Sequence, residues 1–301
     1  MRPIPDTVVL MTNSREEDLV TAESTSRFVQ TKEWRLHYNE VGAGSGGQAV
    51  IMLHGSGPGA TGWSNFKSNL PALGEHFHTF AIDMPGWGGS DPAPVGRRDH
   101  VGAVIQFMDA LGIEKAALIG NSMGGITTLS VAVEHPERVS HIITMGPGSG
   151  LQPRLFSPGG GLSEGMKVLV EAYRNPSAET MKRLVEVMTY DSARFGTDEL
   201  AQERADAALA HPEHVRDYLD AFAKGRMIEK WFRLEDLTRL EQPALLIHGR
   251  DDRVVHYEHS LVLLSHIPNS RLVLFNRCGH WAQLEHAEEF NRLVTEFITN
   301  N

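Results

Sequence analysis

The chain is poor in cysteine, short of positive charge and free of long apolar runs, and each shortage removes a class of function. One cysteine, Cys278, stands among 301 residues, so neither an internal disulfide nor a cysteine zinc cluster can form, which suits a reducing, cytoplasmic setting. Lys and Arg number 28 against 38 Asp and Glu, a formal charge of -10. Nucleic acid is thereby excluded as a partner, because phosphate binding needs clustered cations and no run here supplies them. An anionic small molecule would have to find a local basic group. No apolar stretch reaches the roughly 18 residues of a membrane span, and the opening MRPIPDTVVLMTNSREEDLV places prolines and charges where a signal peptide needs an unbroken apolar segment. What remains, 41% hydrophobic and 22% charged residues, is the composition of an ordinary globular domain with enough apolar material for a sizeable core.

That apolar material is arranged in alternation. After a polar N-terminal arm, RFVQTKEWRLHYNEVG reads as two short strands and GAGSGG as a flexible turn. AVIMLHG, HTFAIDMPG and AALIGNS read as buried strands, separated by helix-like WSNFKSNLPALGEH and amphipathic VGAVIQFMDALGI; MGGITTLSVAVEHPERV continues as helix and SHIITMGPG as strand. Strand and helix in turn predict a mostly parallel, doubly wound α/β sheet covered on both faces. From about Gly148 to Leu240 the strand signal vanishes and segments such as GMKVLVEAYRN, SAETMKRLVEVMTYD, DELAQERADAALA and HVRDYLDAFAKG are helical. Strands resume with PALLIHGRDD and RLVLFNRCGH, and EEFNRLVTEFIT closes as an amphipathic helix. The expected organisation is a core of residues 1–147 and 241–301 interrupted by a helical lid, residues 148–240.

Gly120-Asn121-Ser122-Met123-Gly124 fits the G-x-S-x-G elbow, in which a tight strand-to-helix turn exposes a serine hydroxyl and leaves no room for side chains at the two glycines. A serine hydroxyl is a poor nucleophile at neutral pH, so it needs a base within hydrogen-bond reach, and that base needs an orienting carboxylate. Both lie downstream after strands: His280 in NRCGHWAQ, and Asp252 in HGRDDRVV with its neighbour Asp251 as competitor. An oxyanion site needs preorganised amides. Met123 offers one at a helix start, and Ser56 or Gly57 in HGSGPG offers another. Of the 15 histidines, His37, His76, His78, His135, His141 and His211 read as surface or packing residues.

Other readings use some of the same residues. Gly57-Pro58-Gly59-Ala60-Thr61-Gly62 matches G-x-G-x-x-G after a strand, with Asp83 placed as a ribose ligand, the pattern of an NAD-dependent oxidoreductase. That reading leaves Ser122, Asp252 and His280 unexplained, and Gly42, Gly44 and Gly47 show the pattern again in a mere turn. His211-Pro212-Glu213-His214 and His256-Tyr257-Glu258-His259 lack the order of a metalloprotease and read as solvated helix or loop surface, so no metal site is expected.

HGSGPGATGWSNF, DMPGWGGSD, GNSMGG, MGPG, GRDDRVV and CGHWAQLEHAEEFNRLV together resemble the α/β-hydrolases, and within them the meta-cleavage product hydrolases of bacterial aromatic catabolism, over nearly the whole chain from about Phe28. The resemblance implies a triad of Ser122, Asp252 (selected by G-x-x-D spacing from Gly249) and His280. It also implies pocket residues Asn65, Asn121 and Trp281, and Arg204 as the lid arginine that grips the substrate carboxylate. It further implies cleavage of a carbon–carbon bond in an anionic 2-hydroxy-6-oxohexa-2,4-dienoate without metal or organic cofactor, and a dimer or larger assembly. A carboxylesterase would use the same triad, and a non-catalytic receptor the same fold.

Overall fold

A computed structural model describes residues 20–151, 155–156, 161–226 and 231–301. Most of the N-terminal arm, residues 1–19, lies outside that set. Eight strands, β1 Ser26–Gln30, β2 Arg35–Val41, β3 Ala49–Leu53, β4 His78–Ile82, β5 Ala116–Asn121, β6 Val139–Met145, β7 Ala244–Gly249 and β8 Ser270–Phe275, form one sheet in the order β1-β2-β4-β3-β5-β6-β7-β8. β2 runs antiparallel to β1 and β4, and every other pair is parallel. This is the mostly parallel sheet that the alternation of elements predicts.

The central strands are apolar throughout because both faces are covered. Ile51, Leu53, Leu118 and Leu246 face one layer with Val101, Phe107, Ile126 and Leu129 of the helices His100–Ala110 and Met123–Glu134. Val50, Met52, Ile119 and Ile247 face the other with Phe66, Leu70, Phe290 and Val294. Between β6 and β7 every described element is helical: Glu164–Arg174, Ala178–Met188, Asp198–Ala210, Pro212–Ala223 and two shorter turns. Ser163, Ser177 and Thr197 cap the first three through hydroxyls that accept first-turn amides. Their inner faces join the core through Leu169, Tyr173, Leu184, Val185 and Tyr218.

Two segments depart from the sequence reading. WSNFKSNLPALGEH is broken into helices Gly62–Phe66 and Leu70–Gly74; Pro71 has no N–H and fits only a first turn, while Asn69 at the break donates to Gln283 O and Asn291 Oδ1. A helix at Glu258–His266 includes part of the segment read as solvated helix or loop surface; two of its buried residues, Glu258 and Ser260, are polar, which weakens the apolar periodicity that marks a helix.

Parallel register brings the strand ends to one edge. Leu53 pairs with Gly120, Asn121 with Met145 and Gly249 with Phe275, so the loops after β3, β5, β6, β7 and β8 open together, as sites on such sheets do. Glycines let the loops close in: a Cβ on Gly120 would lie 2.2 Å from Gly124 O, and one on Gly124 would lie 2.0 Å from Leu53 O. Gly124→Ala is therefore expected to destabilise the fold by more than about 3 kcal/mol, read as a fall in Tm of roughly 5–10 °C. Gly44→Ala, where a Cβ meets open space, should leave Tm unchanged; equal melting of the two variants would contradict the packing argument.

Candidate active site

Ser122 caps the helix Met123–Glu134 with φ 52° and ψ -113°, a left-handed conformation that a side-chain-bearing residue holds only when its surroundings impose it. They do so through the Ser122 N–H, which donates to Met145 O at 2.7 Å, and through the two glycine contacts described above. The amide of Met123 opens the helix and has no intrahelical acceptor. Its neighbour across the cavity is the loop after β3, whose carbonyls are drawn outward. His54 donates from Nδ1 to Gly55 O at 2.7 Å and accepts the Met84 N–H at Nε2. The Tyr173 hydroxyl donates to Ser56 O at 2.7 Å, and the Trp87 indole to Gly57 O at 3.1 Å. A trans peptide aims its N–H opposite its C=O, so the amides of Ser56 and Gly57 point away from His54 and Tyr173. Ser56 and Gly57 line one chamber with Ser122 and His280.

His280 is buried beside that chamber and its Nδ1 lies 2.7 Å from Asp252 Oδ2. Donation from Nδ1 to the carboxylate leaves Nε2 as the free base. The main chain of the histidine is clamped: its N–H donates to Met188 O, and its C=O accepts the Asn121 side-chain amide at 3.2 Å. Gly146 gives the ring room, since a Cβ there would sit 3.1 Å from Nδ1 and 3.2 Å from Asp252 Oδ2. Asp252 Oδ1 accepts the amides of Val254 and Val255 at 2.7 and 3.0 Å. Burial alone would raise its carboxyl, but His280 and His248 beside it hold it well below the usual carboxylate range. Asp251 turns elsewhere, 3.8 Å from the Arg250 guanidinium.

Arg204, on the helix Asp198–Ala210, is 3% exposed and so is not a surface charge. Its Nη2 donates to Pro58 O at 3.2 Å, and its guanidinium stands 5.1 Å above the Trp281 ring. Nε is buried without a partner, and among the described residues no carboxylate lies within ion-pairing distance. Burial lowers its pKa to about 10, which leaves it cationic at neutral pH. The glycine loop makes space for it: a Cβ on Gly57 would lie 2.9 Å from Nη2, and one on Gly59 would lie 2.3 Å from Arg204 O. That occupancy, with Asp83 buried under the Gly62 and Gly89 amides, leaves no dinucleotide cradle, and the NAD reading is set aside. Asn65 and Trp281 join Arg204 where the inner chamber meets an outer cleft of about 310 Å³ that also holds Lys67 and Arg194.

A family model described as the alpha/beta hydrolase fold matches residues 48–287. The chain is 42% identical to a 2-hydroxy-6-oxononadienedioate/2-hydroxy-6-oxononatrienedioate hydrolase of Cupriavidus pinatubonensis, over 93% of this chain and 98% of that one. It is 41% identical to a 2-hydroxy-6-oxo-6-phenylhexa-2,4-dienoate hydrolase of Comamonas testosteroni, again over 93% and 98%. Among solved structures, a meta-cleavage product hydrolase of Pseudomonas fluorescens superimposes with a TM-score of 0.80 at 34% identity, over 91% of this chain and 97% of that one. The chain belongs to the meta-cleavage product hydrolases of the α/β-hydrolase fold.

Within this hydrolase the residues singled out from the sequence converge, although Asn121 spends its side-chain amide on main-chain carbonyls of Met145 and His280. His54 and His248 escaped notice; the signal that marks them is adjacency, one preceding the glycine loop and the other standing four residues before Asp252. The two histidine pairs read as solvated surface are corrected: His214 and Glu258 are buried. The first sits on the inner side of its helix, and the second binds His256 at 3.0 Å. His211, Glu213 and His214 offer ligand atoms within 4.8 Å of one another, but His211 Nδ1 and Glu213 Oε1 already meet at 3.4 Å.

Trp87 packs between His54 and His100, 5.7 Å from each ring. Burial lowers His54, and burial followed by Arg98 lowers His100 to about 3. The unfolded chain takes up these protons near pH 6.5, so stability is full above that pH and lost as pH falls from 6.5 toward the folded values, by up to about 1.4 kcal/mol per pH unit for each ring. Denaturant melts at pH 7.5, 6.5 and 5.5 should show that decline, and His100→Leu should make it shallower; an unchanged slope in the variant would argue against a neutral buried ring.

Proposed function

We propose that the protein hydrolyses the carbon–carbon bond of 2-hydroxy-6-oxohexa-2,4-dienoates, the ring-fission products of aromatic catabolism, to 2-hydroxypenta-2,4-dienoate and a carboxylic acid, with Ser122 as nucleophile. The observation that carries this reading is a buried guanidinium with no carboxylate partner among the described residues, placed at a chamber lined by Ser122 and His280, with Asp252 behind the histidine. Burying an unpaired cation costs several kcal/mol, and an anionic substrate supplies the missing partner bidentately. An esterase acting on neutral esters needs the three other residues but not Arg204.

Breaking this bond asks a carbanion to leave, so its charge must first have somewhere to spread. With the carboxylate on Arg204, His280 relays the proton of the 2-hydroxyl to C5, which gives the keto form and turns C6 into an isolated ketone. Ser122 Oγ adds to C6 while His280 Nε2 takes its proton and Asp252 holds the imidazole through Nδ1. The oxyanion on C6 accepts from the Met123 amide and from Ser56 or Gly57. The C5–C6 bond then breaks, the electron pair passes into the dienolate and His280 returns the proton. Water, deprotonated by His280, opens the acyl-serine to the carboxylic acid. The scheme uses no metal or organic cofactor. The helices between β6 and β7, residues 148–240, act as the lid that limits water access.

The acyl end of the substrate lies in the inner chamber, whose walls include Met166, Leu169, Met188 and Val254, with Arg204 the one cation among its described lining residues. Such walls favour an alkyl or aryl acyl group over a carboxyalkyl one, because a second carboxylate would be desolvated there without a partner. The inner chamber is narrow, and the flexible methionines repack to admit the group. A cytoplasmic dimer or larger assembly completes the reading, supported by the buried free thiol of Cys278 and by family membership.

Three measurements test it. Ring-fission dienoates with phenyl, alkyl and carboxyalkyl groups should be bleached by the wild type, with kcat/KM at least about tenfold lower for the carboxyalkyl compound, a difference of roughly 1.4 kcal/mol; the reverse order would overturn the acyl assignment. Ser122→Ala should lose at least about a thousandfold in kcat. Arg204→Gln should raise KM for dienoates by roughly 10- to 100-fold, the worth of a charged hydrogen bond, while leaving hydrolysis of a neutral aryl ester within about threefold. An aryl ester turned over better than every dienoate would favour the esterase reading instead.

A further inference from the structure

His248 is fully buried on β7 and takes no part in the chemistry described so far. Its Nδ1 lies 2.7 Å from the Ser260 hydroxyl on the helix Glu258–His266, and its Nε2 lies 2.8 Å from Val255 O. The same Nε2 lies 3.2 Å from Asp252 Oδ2, the oxygen that faces His280. A carbonyl oxygen can only accept, so Nε2 carries the proton; Nδ1 then accepts from Ser260, whose hydroxyl rotates to suit. The tautomer is thus set by the packing around the ring, and its N–H donates to Val255 O while standing 3.2 Å from the carboxylate.

Asp252 therefore meets four donors. Oδ1 takes the Val254 and Val255 amides, and Oδ2 takes the Nδ1–H of His280 with the protonated Nε2 of His248 3.2 Å away. We propose that His248 is a positioning residue of the active site, acting through Asp252: it fixes the rotation of the carboxylate and shares the oxygen that His280 uses. This rests on the reading of Asp252 and His280 as orienter and base. The consequence is specific. A second donor on Oδ2 weakens the hold of that oxygen on the His280 proton, so the imidazolium formed during Ser122 attack gives its proton up more readily to the leaving dienolate.

The other titratable groups packed against this pair are accounted for. His259, on the helix Glu258–His266, is pushed down to about 4, chiefly by burial and then by His248. Glu258 is paired with His256. Behind β8, burial raises the Cys278 thiol and keeps it neutral, and Glu285 accepts the amides of Gly279, Tyr190 and Asp191. Asp251 lies beside Arg250. From the lid side the Met188 carbonyl accepts the main-chain N–H of His280, and Arg204 stands over Trp281.

Two substitutions separate the nitrogens of His248. The amide of His248→Gln can donate from the place of Nε2, whereas His248→Asn keeps a polar group near Ser260 and removes the donor from Asp252. In a Ser122→Ala background, where no turnover is needed, NMR titration of the His280 ring should show proton uptake moved to higher pH by roughly half a unit or more in His248→Asn, and little moved in His248→Gln. With Ser122 present, the acid limb of kcat/KM should follow the same pattern, and kcat in His248→Asn should fall on the order of tenfold with KM nearly unchanged. Ser260→Ala, which leaves the ring in place and frees its far nitrogen, should shift the titration the same way by less, and serves if His248→Asn does not fold. Identical titration in wild-type, Gln and Asn proteins, or a Gln variant displaced as far as the Asn variant, would overturn the proposal and reduce His248 to packing. The NMR result stands whatever the substrate is; a protein inert to every dienoate yet showing the shift would fail the proposed function and keep this one.

Discussion

A serine held at positive φ between a strand and a helix is possible only where the surrounding main chain can come within van der Waals distance of it, and this close approach is the constraint on which the rest of the structure depends. Gly120 and Gly124 face carbonyls that would collide with any Cβ, and Gly249 stands just as close to Gly279 O across the turn that carries His280. The five strand ends can then converge, and their loops bring a hydroxyl and an imidazole to one chamber with a carboxylate behind the imidazole. The backbone strain at Ser122 is sustained by the helix it opens and by the largely buried strands β3 and β6 on either side of β5.

A second theme is the placement of charge. The chain carries an excess of acid, yet the site gathers one buried guanidinium that nothing in the described protein neutralises, and one buried carboxylate surrounded by hydrogen-bond donors. These opposite arrangements suit opposite tasks. In the proposed reaction Arg204 takes the anion that arrives from outside, while Asp252, held by its donors, orients the base without taking its proton. His54 and Tyr173 do for the amides of Ser56 and Gly57 what His248 is proposed to do for Asp252: they engage the far side of a group so that its near side is fixed.

Much of this was legible in the sequence because steric demands leave local marks. The elbow around Ser122 needs two glycines at fixed spacing, and parallel strands need unbroken apolar runs; both can be read from a few residues. Arg204 was named only through family resemblance, because nothing in QERADAA distinguishes a buried arginine from a solvated one. His248 and His54 were not singled out, since their roles arise from contacts with Asp252 and Gly55 that composition does not announce. The helix Glu258–His266, read only in its first residues as solvated helix or loop, was hard to recognise for a related reason: it buries the polar Glu258 and Ser260 and so loses the periodicity by which a helix is recognised.

The central claim is that the alcohol of Ser122 becomes acylated by the C6 carbonyl of the substrate. Rapid acid quench of a single turnover, with protein in excess over a phenyl or alkyl dienoate, followed by peptide mass analysis, addresses it directly. The account predicts a transient gain of one acyl group on the peptide containing Ser122, appearing with dienoate release and decaying with formation of the carboxylic acid. Product formation with that peptide unmodified throughout, or with the acyl group on another residue, would contradict it.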